Sequence, residues 1–231
     1  MKGSEIIKVH GLIKDYSMGK QSFRALNDVN MSVCSGEFTG LVGPSGSGKT
    51  TLLNIIGALD NPTEGDAVVL GKDVNSLSQA EGALLRNESL GFIFQTYNLL
   101  PVYTVYENVE FPLLLLKKSK QERNEAVMKA LEWVGLTAKA KSKPNQLSGG
   151  ESQRVAVARA MVKLPKIVLA DEPTANLDAA NSHNILKMML KLNEELNTTF
   201  IFATHDEKVI AYLKRKVVLS DGKIIDDITL N

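Results

Sequence analysis

Hydrophobic and polar positions along this chain change period several times. Residues alternate from Glu5 to His10 and again from Phe23 to Val33 around Leu26, Val29 and Met31, and Phe38 to Val42 is a short apolar run. A period of two predicts strands, so the first part reads as β-rich. Gly43 to Lys49 reads as a loop, and Thr50 to Leu59 as a helix burying Leu52, Leu53, Ile55 and Ile56. Pro62 to Asp66 is turn chemistry, followed by a strand from Ala67 to Leu70. The middle shifts to helical spacing at Ser78 to Asn87 and at Gln121 to Val134, with the strand Gly91 to Gln95 between. Beyond it, helix Ser152 to Val162, strand Ile167 to Ala170, helix Ala179 to Leu196, strand Thr199 to Ala203 and helix Asp206 to Leu213 alternate. That alternation predicts a parallel sheet covered by helices on both faces. Lys216 to Ser220 and Lys223 to Asp227 around Asp221-Gly222 predict a hairpin.

Composition narrows the class. The 231 residues suit one domain, without repeats or a linker long enough to divide it. At 44% hydrophobic and 23% charged, the composition is that of a folded globular protein. Lys and Arg number 27 against 26 acids, which leaves no broad basic surface and argues against a nucleic-acid partner. A single cysteine, Cys34, excludes an internal disulfide and a cysteine-based zinc cluster, and fits a reducing compartment. The greasiest stretch, Val109 to Leu116, contains Glu110 and Pro112 and is shorter than the ~18–20 apolar residues of a membrane span. Met1 to Glu5 lacks a signal-peptide core. The expectation is a chain soluble by itself, held at any membrane by something else.

The first candidate chemistry is Gly43-Pro44-Ser45-Gly46-Ser47-Gly48-Lys49-Thr50, a full G-x-x-x-x-G-K-[ST] between a predicted strand and a predicted helix. Glycines let successive N–H groups converge on one point, and the helix N-terminus adds positive potential there. Lys49 supplies a point charge for β- and γ-phosphate oxygens, and the Thr50 hydroxyl suits Mg²⁺. A dinucleotide fingerprint is absent, and Lys49-Thr50 would have no part in one. The second is Ile167 to Glu172, an apolar strand ending in two acids that a parallel sheet would bring beside the phosphate loop. Asp171 there can hold Mg²⁺, usually through water, and Glu172 can polarise water for attack on the γ-phosphate. The third is Leu147-Ser148-Gly149-Gly150-Glu151 before a helix, a further anion site by the same dipole argument. Two anion sites imply two phosphate ligands, or one ligand shared between two copies.

With these motifs in this order, the chain resembles the nucleotide-binding subunit of an ABC transporter over nearly its whole length. Gly43 to Thr50 is similar to the Walker A loop, Gln95 to the Q-loop glutamine and Leu147 to Glu151 to the LSGGQ signature. Ile167 to Asp171 with Glu172 resembles Walker B, Asn176-Leu177-Asp178 the D-loop and His205 the switch histidine. The resemblance implies ATP and Mg²⁺ as ligands and ATP hydrolysis coupled to transport as the activity. It implies catalytic parts for Glu172, His205, Gln95 and Lys49, and metal contacts from Thr50, Gln95 and Asp171. Tyr16 would stack on adenine, and nucleotide contacts would run from Gly43 through Thr51. Ser148, Gly149 and Gly150 would reach the γ-phosphate held by a second copy in a head-to-tail dimer, with Asp178 bridging the two sites. The implied fold is an α/β P-loop core, about 1–96 and 145–231, carrying an N-terminal antiparallel β subdomain, with a helical subdomain at about 97–144.

Two positions depart from the family pattern: Glu151 stands where the signature has Gln, and Asn176 replaces a small residue. Glu172 to Asp178 and Gln95 to Pro101 resemble the lipoprotein-release, macrolide-export and division-associated branch (the LolD, MacB and FtsE group). That branch implies an integral-membrane permease partner and a place on the inner face of the cell membrane. It leaves lipoprotein, macrolide, peptide or peptidoglycan-hydrolase control open. The competing expectation is a stand-alone regulatory or DNA-associated ABC-type ATPase with no transport partner. A third is a phosphate-binding module that does not hydrolyse.

Overall fold

A computed structural model describes residues 3–19 and 21–230. Strands β1 (Glu5–Met18) and β2 (Gln21–Cys34) pair antiparallel, and β1 also pairs with β4 (Glu64–Val69), which pairs with the short β5 (Lys72–Asp73). The second sheet runs β10 (Lys223–Thr229), β9 (Arg215–Ser220), β3 (Phe38–Val42), β8 (Thr199–Thr204), β7 (Ile167–Asp171) and β6 (Leu90–Ile93). Every neighbouring pair in it is parallel except β10 with β9.

Side-chain alternation on the parallel strands feeds two cores. Phe38, Val168, Ala170, Phe200 and Phe202 point to one face, under α3 (Val105–Leu114), α4 (Lys120–Trp133), α5 (Gly149–Met161) and α6 (Ala179–Leu196). Leu41, Ile167, Leu169, Ile201 and Ala203 point to the other, against α1 (Lys49–Ile56), α2 (Gln79–Ser89) and the antiparallel sheet. Phe38 meets Phe202 with ring centroids 4.7 Å apart. Burial on both faces explains why these strands read as unbroken apolar runs. Helices α2, α3, α4 and α5 each start with a capping box, Ser78/Glu81, Thr104/Glu107, Ser119/Glu122 and Ser148/Glu151. Each cap is worth about 1 kcal/mol.

The expected α/β architecture is present, with differences at its edges. Strand β1 continues to Met18, bending where Gly11 takes φ 56°. β4 starts at Glu64, inside the expected turn, because Glu64 and Asp66 pair with Ile13 and His10 on a sheet face open to water. The helix expected over Asp206 to Leu213 is only α7 (Glu207–Ile210), since the Lys214 N–H already bonds Phe38 O to lead the chain into β9. Asp221 and Gly222 both have positive φ, as the expected tight hairpin requires.

Candidate nucleotide site

The phosphate loop leaves β3 and enters α1 through Gly46 (φ 79°) and Gly48 (φ 99°), where a side chain would strain the backbone. Unlike α2 to α5, α1 has no side-chain cap, so its first N–H groups remain for a ligand. Other segments press against the loop from behind. A Cβ at Gly43 would lie 2.1 Å from Leu219 O, and one at Gly222 only 2.8 Å from Ala25 O. The Gly222 N–H bonds Ser47 O at 3.2 Å, and the Asn27 N–H bonds Gly222 O at 2.8 Å. Ser47 is buried, and its hydroxyl has no partner among the described residues.

Lys49 is 6% exposed and donates to Gly43 O at 2.8 Å and Pro44 O at 2.7 Å. Burial pushes its ammonium below the usual lysine range, while Glu172 and Asp171 push back. At the end of β7, both Asp171 oxygens lie 3.2–3.3 Å from Thr50 Oγ1. Burial raises the Asp171 carboxyl above its ordinary range and nearby Glu172 adds to that, whereas the Thr50 hydrogen bond and Lys49 oppose it. A hydroxyl and a destabilised carboxylate side by side are hard oxygen donors that fit a Mg²⁺ ion, whose charge would favour the ionised form.

Glu172 has φ 44°, in the left-handed region that costs a non-glycine residue about 1–2 kcal/mol. His205 Nδ1 lies 2.6 Å from Glu172 Oε1. A carboxylate only accepts, so Nδ1 carries the proton in this contact. Gln95, two residues past β6, borders the same space, and its carbonyl accepts from Asn176 Nδ2 at 2.9 Å.

These groups share one cleft of about 370 Å³. It brings together Tyr16, Ser45, Gly46, Gly48, Lys49, Thr50, Thr51, Gln95, Asp171, Glu172 and His205. Gly43, Pro44 and Ser47 form the back of the loop. Tyr16 is pinned from two sides: its hydroxyl donates to Asp60 Oδ2 at 2.8 Å, and Lys14 Nζ lies 4.9 Å from its ring centroid. Lys14 also binds Asp60 Oδ1 at 2.6 Å. Sequence pattern does not single out Asp60, nor Phe23 and Ala25, which line the cleft. Phe23 pairs directly with Tyr16 across the β1–β2 ladder and is 52% exposed. An aromatic opposite Tyr16, at the open end of a strand, was the available signal.

Ser148, Gly149, Gly150 and Asp178 do not line this cleft. Ser148 caps α5 and Asp178 caps α6, accepting the Asn181 N–H at 2.8 Å. Glu151 closes the cap at Ser148 with a bond of 2.8 Å to its N–H, which holds the Glu151 carboxyl below the usual range. Lys139 Nζ, 3.6 Å away, balances that charge. A second groove, about 300 Å³ and mostly apolar, runs between Phe92, Phe94, Leu100 and Phe111, with Arg159 and Lys163 beside them. No helix among the described residues is long and apolar enough to cross a membrane.

The family model described as ABC transporter matches residues 26–175. The chain is 43% identical over 225 residues to the macrolide export ATP-binding/permease protein MacB of Rhodopirellula baltica. The match covers 96% of this chain and 33% of MacB, so the chain spans about a third of that relative's length. Among solved structures it resembles the dimeric ATP-binding cassette MJ0796 in a post-hydrolysis state bound to ADP and Pi, with TM-score 0.90 and 41% identity over 98% of this chain and 99% of that one. CbiO1 of Clostridium perfringens, part of the ABC transporter complex CbiONQ, follows at TM-score 0.88 and 31% identity, over 97% of this chain and 88% of that one. The chain belongs to the ABC transporter family, as an ATP-binding cassette.

Proposed function

We propose that two copies of this chain close head to tail around two ATP molecules, and that hydrolysis and reopening drive a membrane-embedded permease of the macrolide-export and lipoprotein-release type. One observation carries the reading: Lys49, Thr50, Asp171, Glu172 and His205 meet in a single cleft, and the helix terminus at Ser148 to Gly150 is not part of its lining. Among the described residues the Ser148 hydroxyl takes only the Glu151 N–H, and the Gly149 and Gly150 amides at this terminus would acquire a ligand when a second copy presents its own.

In the closed pair the amides of Gly46 to Thr51 and the Lys49 ammonium would neutralise the β- and γ-phosphates, and the Tyr16 ring would stack on the base. Thr50 and Asp171 would hold Mg²⁺, with Gln95 nearby, and the ion would supply charge neutralisation on the phosphate oxygens. Glu172 would take a proton from the attacking water as its oxygen bonds the γ-phosphorus and the bond to the ADP oxygen breaks. Lys49, His205 and the other copy's Ser148 would balance the charge that develops. His205 donates Nδ1–H to Glu172, so Nε2 is a donor to phosphate only when the ring is protonated or turned. The permease would dock in the apolar groove between Phe94, Leu100 and Phe111, placing the chain on the inner face of the cell membrane.

The test is Glu172→Gln. It should bind ATP, lose turnover, and elute as a dimer only with ATP present in size-exclusion chromatography. Turnover near the wild-type rate would remove Glu172 as the general base.

A further inference from the structure

Thr204, the last residue of β8, is completely buried one position before His205. Its hydroxyl oxygen accepts the Asp206 N–H at 3.0 Å and lies 3.1 Å from Glu172 Oε2. Since a carboxylate only accepts, the hydroxyl proton points at Glu172, and the direction of the bond is fixed. Asp206 in turn accepts Thr174 Oγ1–H at 3.0 Å through Oδ2, and the Lys208 N–H at 2.9 Å through Oδ1. Thr174 follows Glu172 by two residues and is also buried. The loops after β7 and β8 are therefore closed into one ring, Glu172 to Thr204 to Asp206 to Thr174. Gln153, fully buried on α5, adds a hold on the β7 loop through Pro173 O at 2.6 Å.

This ring encloses a residue whose backbone is strained. Glu172 stays at φ 44° only while its surroundings oppose relaxation. Its carboxylate is fixed by two donors of different character. His205 is an exposed side chain held, among the described residues, only by Glu172, whereas Thr204 is buried and also accepts the Asp206 N–H.

We propose that Thr204 is a positioning residue for ATP hydrolysis. It anchors Glu172 Oε2 so that the carboxylate keeps its orientation when His205 turns away, leaving Oε1 for the attacking water. Thr204 itself touches neither nucleotide nor water. The inference rests on Glu172 being the general base.

The experiment compares Thr204→Val, which keeps shape and loses the hydroxyl, with Thr204→Ser, which keeps the hydroxyl. Both are made in the full chain, alone and in a Glu172→Gln background. Thr204→Val should lower kcat roughly tenfold to a hundredfold, the worth of a hydrogen bond to a charged group, with KM for ATP within about twofold. Thr204→Ser should recover kcat to within about threefold of wild type. In the Glu172→Gln background, which binds ATP without turnover, Thr204→Val should leave the ATP-dependent dimer intact in size-exclusion chromatography, because Thr204 acts only on the carboxylate that is gone. Wild-type turnover by Thr204→Val, equal losses in Val and Ser, or loss of the ATP-dependent dimer in the Glu172→Gln background would each overturn the proposal. So would loss of ATP binding by Thr204→Val, which would assign the hydroxyl to the fold. An active Glu172→Gln removes the general-base reading itself; an inactive Glu172→Gln beside a fully active Thr204→Val removes only the positioning role.

Discussion

Replacing Arg159 by lysine tests how the turn after Gln95 is held. Tyr97 (φ 59°) and Asn98 (φ 48°) both sit in the left-handed region, and no glycine relieves either. Bonds within the turn (Tyr97 N–H to Phe94 O at 3.2 Å, Thr96 Oγ1 to Asn98 Oδ1 at 2.8 Å) are joined by one guanidinium on α5: Arg159 donates to Asn98 O at 2.5 Å and Tyr97 O at 2.6 Å. A fork of donors spans two adjacent carbonyls, whereas an ammonium is a point. Arg159→Lys should therefore lose one charge-assisted bond, worth ~1.5–3 kcal/mol when buried and about 1–2 kcal/mol for this half-buried side chain. That loss is comparable with the strain of about 1–2 kcal/mol per left-handed residue, so the turn should loosen rather than the domain unfold. At ~2–4 °C per kcal/mol for a chain of this size, the melting midpoint should fall by roughly 2–8 °C. ATPase activity should fall as well, because Gln95 opens this turn. Adding Asn98→Gly, which removes one strained side chain, should return part of the lost stability. The assays are thermal unfolding and steady-state phosphate release. If Arg159→Lys melts within about 1 °C of wild type and hydrolyses ATP as fast, the guanidinium does not hold the turn.

Lys163 lies on the apolar groove, donates to Arg86 O at 2.6 Å and is pushed by burial down to about 8. Between about 8 and the unfolded value of 10.5 the unfolded chain binds more protons, so stability should rise with pH across that window. Lys163→Met should flatten the rise and add about 1–3 kcal/mol at neutral pH; urea unfolding at several pH values checks both. Phe23→Ala should weaken ATP binding roughly threefold to tenfold while leaving kcat and melting nearly unchanged, because the ring borders the cleft and is half exposed; an unaltered dissociation constant in calorimetry would exclude a base-side contact. The raised Asp171 carboxyl predicts competition between protons and Mg²⁺. The Mg²⁺ concentration for half-maximal ATPase should climb as pH falls, beginning above the range of an ordinary aspartate, and a pH-independent requirement would refute the assignment.

What the sequence makes legible follows from where each signal comes from. The strands Ile167 to Asp171 and Thr199 to Thr204 are buried on both faces, so they show as continuous apolar runs beside amphipathic helices. The phosphate loop is local, eight residues obeying one geometric demand, and Lys49 and Thr50 follow from it. β4 is less visible because Gly65, between the water-facing Glu64 and Asp66, supplies no apolar side chain, so the alternation shows only from Ala67 onward. The grips on Tyr16 by Asp60, on Glu172 by Thr204 and on the turn by Arg159 join residues 32 to 62 positions apart. Such contacts exist only after the sheet has formed, and one chain's pattern of periods does not encode them. The short α7 illustrates the same limit, since it stops where β9 must begin.

The glycine at the C-terminal hairpin has a consequence for engineering. Gly222 lies about 175 positions from Ser47 in the chain, yet its N–H bonds the Ser47 carbonyl, and Ala25 leaves it no room for a side chain. Transplanting the octapeptide from Gly43 to Thr50 into another scaffold would carry its letters without its buttress. Deletion of the final hairpin should likewise cost affinity for triphosphate, although no atom of that hairpin borders the cleft.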